Sequence, residues 1–147
     1  MVITTLDNSE LMKDLLTNLV SISGRKTNQR HALFILESTI EQLKKEYSFL
    51  ENIGINDNIF DEETESITVM KGLDNLAQNE VGPAIKDIIV TLTNKLGNDA
   101  GHFFLKELSQ KMNDLSITVM KNMGVDLYII QLEKEILKME KTVLKKT

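Results

Sequence analysis

The 147-residue chain has no cysteine, no tryptophan and a single proline, Pro83. Without cysteine there is no disulfide framework, no thiolate nucleophile and no cysteine-ligated zinc. A lone proline is compatible with long uninterrupted helices, because proline breaks a helix interior. No stretch approaches the roughly 18 apolar residues of a membrane span. The opening residues, MVITTLDNSE, lack the basic n-region and apolar core of a secretory signal. A cytoplasmic chain is the expectation. Positive charge is also short: the net charge is −5. An acidic chain is a poor general partner for nucleic acid, whose affinity rests on neutralising phosphates.

Chemical motifs are missing as well. There is no Gly-rich phosphate loop, no G-x-S-x-G elbow and no Ser–His–Asp order. Neither His31 nor His102 has a Glu three residues before it, so the Glu-x-x-His pairs of a di-iron bundle are excluded. A phosphotransfer histidine would sit exposed on a helix, but only Lys106, four residues after His102, echoes such a site. Both histidines read as ordinary surface or partly buried residues. Glu62, Glu63 and Glu65 read as a helix start rather than a cation site, since negative charge suits that end of the dipole. INDNIFDEE lacks the central glycine of a calcium loop. The expectation is a protein with no catalytic residues, no metal and no cofactor.

What the chain does have is helical periodicity. Asn8 or Ser9 opens a first helix that Gly24 stops, with Met12, Leu15, Leu19 and Ile22 on one side. A second helix is expected from Thr27 or Asn28 to Gly54. Leu33, Leu36, Ile40, Leu43, Tyr47 and Leu50 form its apolar seam, widened by Phe34 and Phe49. INDN is a loop. Asp61, Glu62 and Glu63 open a third helix, with Gly72 a weak point inside it. Pro83 belongs at the first position of the next, which Gly97 ends; Val81, Ile85, Ile88, Leu92 and Leu96 line it. Asn98 or Asp99 then caps a helix that runs to Gly124 with Leu105, Leu108, Met112, Leu115 and Val119 in register. Asp126 opens the last, carrying Ile129, Leu132, Ile136, Met139 and Val143, with a second row at Ile130, Leu137 and Leu144. Short glycine-centred connections make neighbouring helices antiparallel. The reading is one all-α domain over 1–147, an up-and-down bundle of five or six helices with coiled-coil-like heptad packing. Any strand is confined to the first six residues.

The hexapeptide SITVMK occurs twice, at 66–71 and 116–121. Its flanks share no residue at matching positions, which weighs against a duplication. Its alternation fits a strand locally. The surrounding heptads favour helix for both copies, with Ile67, Val69, Ile117 and Val119 buried and both threonines bonded one turn back.

Two surface patterns bear on function. The seam Ile129, Leu132, Ile136, Met139 and Val143 is longer and wider than one neighbouring helix covers. It is expected to form an interface, most simply a symmetric homodimer or a contact with another helical protein. Opposite it, Lys134, Lys138, Lys141 and Lys145 form a stripe that reads as a solvated face or as a site for an acidic partner. The expected function is non-enzymatic protein–protein association. The alternatives are a regulatory bundle holding a small apolar ligand, for which seven methionines supply an adaptable interior, and a DNA-associated regulator. The latter would use the helix–glycine–helix around Gly97, whose reading helix holds His102, Phe103, Phe104 and Leu105 in place of Arg and Gln.

Overall fold

The computed structural model describes the backbone of residues 6–26, 28–56, 66–95 and 98–145, and the side chains there except 26, 98–103, 138 and 141–145. Among the described residues are six α-helices that pack into a bundle: α1 (Asn8–Lys26), α2 (Gln29–Leu43), α3 (Gln78–Lys95), α4 (Asn98–Lys111), α5 (Asp114–Asn122) and α6 (Leu127–Lys145). The expected caps at Thr27, Asn98 and Asp99, the acidic start at Asp61–Glu63, and Leu96, Gly97 and Lys146 lie outside these side chains or this backbone.

At the centre lies α1, which packs against α2, α3 and α4. Leu11, Met12, Leu15, Leu16, Leu19 and Ile22 are all fully buried. A side chain of this kind contributes about 1.5–3 kcal/mol on leaving water, so α1 organises the core. Gly24 does not stop it; the helix runs on to Lys26. Its N-terminus is held from a distance. Asp74 accepts from the Ser9 backbone N–H at 2.7 Å and from Ser9 Oγ at 3.0 Å. The Asn8 amide donates to the carbonyls of Leu73 and Leu76 at 3.1 and 2.8 Å. A carboxylate at a helix start satisfies an orphan N–H and complements the dipole.

The long second helix is shorter than its heptads suggest. α2 ends at Leu43, and the chain turns through a 3-10 helix at Ser48–Asn52. Leu33, Leu36, Ile40 and Leu43 are buried as expected, and Leu50 is too, from the 3-10 segment. Phe34 does not widen the seam: it is 67% exposed.

The two copies of SITVMK adopt different structures. The first forms strand β2 (Ile67–Val69), paired antiparallel with β1 (Ile53–Ile55) in the register Ile53↔Val69, Gly54↔Thr68, Ile55↔Ile67. The strand alternation seen locally therefore wins, and the expected third helix is replaced over 66–75 by a strand and a second 3-10 helix, Lys71–Asn75. A Cβ on Gly54 would lie 2.7 Å from Thr68 Oγ1, so that a larger residue there would force the Thr68 hydroxyl to shift. Ile53 and Ile67 face the core while Thr68 points out. The Thr68 hydroxyl reaches across to the Gly54 carbonyl at 3.4 Å, not back along a helix. The second copy is helical, within α5. Val119 and Met120 are buried there and Ile117 is half-buried.

The expected helix from Asn98 to Gly124 is two helices. Asn113 interrupts it by accepting from the Ser116 backbone N–H at 2.8 Å, a side-chain cap that competes with helix continuation. Ser116 then donates to Asp14 Oδ2 at 2.8 Å and ties α5 to α1. Gly124, at φ +90°, ends α5. The Val125 N–H bonds to the Met120 carbonyl and the Gly124 N–H to that of Lys121, a Schellman closure. Pro83 is not the first residue of its helix. It lies exposed in the second turn of α3, and the carbonyl to which it cannot donate one turn back, that of Asn79, belongs to an exposed residue.

Candidate interaction surface on the last helix

Helix α6 begins as expected, with Asp126 Oδ1 accepting from the backbone N–H groups of Tyr128 and Ile129 at 3.0 and 3.4 Å. At about 100° per residue, Leu127, Ile130 and Lys134 fall on one side. That side meets the bundle. Leu127 and Ile130 are buried, and Lys134 Nζ donates to Asn94 Oδ1 of α3 at 3.0 Å. Partial burial of Lys134 lowers its pKa below the ordinary lysine value. Nearby, Lys86 of α3 lies 3.9 Å from Glu133.

The other side is apolar and uncovered. Tyr128, Ile129, Leu132, Ile136 and Met139 span an arc of about 100° on the helix, and they are 70, 50, 38, 54 and 67% exposed. Leu137, on the inner side, is 56% exposed as well. Every described side chain past Glu135 is exposed. The described members of the expected interface, Ile129, Leu132, Ile136 and Met139, share this outer face; Val143 lies outside the described side chains. Of the lysine stripe, Lys134 is turned into the bundle, while Lys138, Lys141 and Lys145 lie outside the described side chains. Tyr128 belongs to the face and was not singled out from the sequence. Its place one residue before Ile129 in the same heptads was the available signal.

Among the described residues the surface also holds open grooves. One, of roughly 590 Å³, runs along α1 beside β2, with Lys13, Thr17, Ser21, Arg25 and Ile67 among its lining residues. Two of its polar groups serve the fold: Arg25 pairs with Glu107, and Ser21 accepts from Lys111 at 3.0 Å. The second, of roughly 400 Å³, is lined by Asn28, His31, Phe34, Glu37 and Ile55, among others. His31 is exposed there, and its backbone N–H donates to Asn28 Oδ1 at 2.8 Å. His102 lies outside the described side chains, as do Glu62, Glu63 and Glu65. Among the described residues no three His, Asp or Glu side chains come together as metal ligands.

A further polar pair involves a residue of the expected α2 seam. The Tyr47 hydroxyl donates to Asp87 Oδ2 at 2.6 Å, joining the turn after α2 to α3. The bond to a carboxylate, with desolvation and the charge of Asp87, pushes the Tyr47 pKa up to about 12. Among the described residues no helix is long and apolar enough to cross a membrane. Compared with protein-family models, curated proteins and solved structures, the chain matches none.

Proposed function

We propose that this protein acts without catalysis, by docking a second copy of itself or another helical protein on the outer face of α6. The observation that carries the reading is the contrast across one helix. Leu127 and Ile130 are buried in the bundle, whereas Ile129, Leu132, Ile136 and Met139 face water. Single exposed apolar residues are ordinary on a protein surface, but a contiguous stripe of them marks an interaction surface. Its 3, 4 spacing is that of a helix-on-helix seam. The test is association itself. Light scattering would follow the parent and an Ile136→Lys/Met139→Lys variant at roughly tens of micromolar, alone and mixed with a helical peptide bearing a matching seam. The parent gains mass in at least one of these mixtures and the variant in neither. A parent that stays at monomer mass in both refutes the reading.

A further inference from the structure

We infer that Met139 is the position at which the α6 face answers to oxidants: a peroxide converts its thioether to the sulfoxide, and the docked helix is released. The inference rests on the docking surface above and adds its regulation. The chain has seven methionines and no cysteine. Peroxide therefore meets no thiol, and thioether is the sulfur it can oxidise. Met1 lies outside the described residues. Met12, Met112, Met120 and Met123 are buried, whereas Met70 and Met139 are 64 and 67% exposed. A dissolved oxidant reaches these two without any opening of the fold, while the buried four wait on local unfolding. Met70 belongs to the turn between β2 and the second 3-10 helix. Met139 stands on the apolar face of α6, three residues beyond Ile136.

The step needs no catalytic group from the protein. The O–O bond of hydrogen peroxide breaks, an S–O bond forms at Met139 Sδ, and the second oxygen leaves as water with both protons. Sulfur is oxidised by two electrons and peroxide is reduced by two. The product carries a polar S–O group in place of an apolar thioether. In the undocked chain that group stays in water, so the fold is undisturbed. Beneath a docked helix it loses that water, and the neighbouring Ile129, Leu132 and Ile136 side chains have no hydrogen to donate in its place. A polar group buried without a partner costs free energy, and the cost falls on the docked state alone. The docked helix in turn covers the sulfur and slows its oxidation.

The test exposes the full chain to dilute hydrogen peroxide and maps the sulfoxides by peptide mass spectrometry. Met70 and Met139 should convert together, and the four buried methionines at least about tenfold more slowly. Association is then read as self-association by light scattering and as binding of a labelled helical peptide by fluorescence anisotropy. The peptide carries Ile and Leu in the 3, 4 spacing and no sulfur. Each chain is compared with itself before and after peroxide. The parent and Met70→Leu should lose at least about fivefold in affinity, with helix content by circular dichroism unchanged, while Met139→Leu should show no loss on treatment. Saturating peptide should slow conversion of Met139 and leave that of Met70 as it was. Slow conversion of Met139 in the undocked chain, an affinity that peroxide leaves unchanged, a loss that persists in Met139→Leu, or equal conversion of Met139 with and without peptide each overturns the inference and keeps the docking surface. A parent that neither self-associates nor binds the peptide removes the surface itself, and the inference with it.

Discussion

Gly82 shows how tightly single residues are specified. A Cβ on Gly82 would sit 2.3 Å from the Met123 carbonyl oxygen. Backbone cannot swing aside as a flexible side chain can, so Gly82→Ala must push α3 away from the end of α5. Overpacking of this kind costs about 1–3 kcal/mol, and a urea titration should show it. Nothing in the local sequence announced this glycine, because its cause is a contact 41 residues away in the chain (82 to 123). Tyr47 is a similar case: it sat on the expected seam as an apolar residue, while its hydroxyl serves Asp87. Removing that hydroxyl by Tyr47→Phe should cost about 1 kcal/mol near neutral pH, the bond being partly exposed. The folded pKa is raised from 10 to about 12. The contribution is therefore complete below about pH 10, where the unfolded tyrosine begins to ionise, and is lost as pH rises through 12. The stability difference between parent and Tyr47→Phe should close over that interval. A difference that is constant with pH would dissociate the shift from the bond.

Among the elements, the repeated hexapeptide separates intrinsic preference from context. Both copies offer the same β-branched residues and the same methionine. The first lies between Gly54 and Gly72, against a strand that begins at Ile53, and becomes β2. The second follows the Asn113 cap and becomes helix. Heptad counting carried the helical reading across both sites, and it failed where a side-chain cap or a glycine-bounded strand outcompeted helix propagation. It succeeded for α1, for the first part of α2 and for α3, whose apolar faces are buried as the spacing requires. Equivalent letters should thus respond differently. Met70 is 64% exposed and Met120 fully buried. Met120→Ala should cost about 2–5 kcal/mol, whereas Met70→Ala should stay within about 0.5 kcal/mol, as measured by thermal melting. Equal losses would mean that the two copies share one environment.

For the whole molecule, the fold was more legible than the surface that we propose for function. Core helices advertise themselves because burial imposes a period of 3.6 along the chain. An exposed apolar face imposes the same period, so the sequence could mark Ile129, Leu132, Ile136 and Met139 as a seam without saying which body covers it. Three-dimensional packing resolves part of that ambiguity by burying Leu127 and Ile130 instead. The most direct test sets the two faces of α6 against each other in denaturant. Ile136→Lys/Met139→Lys changes the outer face and Leu127→Lys/Ile130→Lys the inner one. If the outer face is a docking surface, the outer variant unfolds within about 0.5 kcal/mol of the parent at a concentration where the parent is monomeric, so that no self-association adds to the parent's stability. The inner variant loses several kcal/mol, because it buries charge without a partner. An outer variant that unfolds as readily as the inner one would show that the seam belongs to the protein's own core.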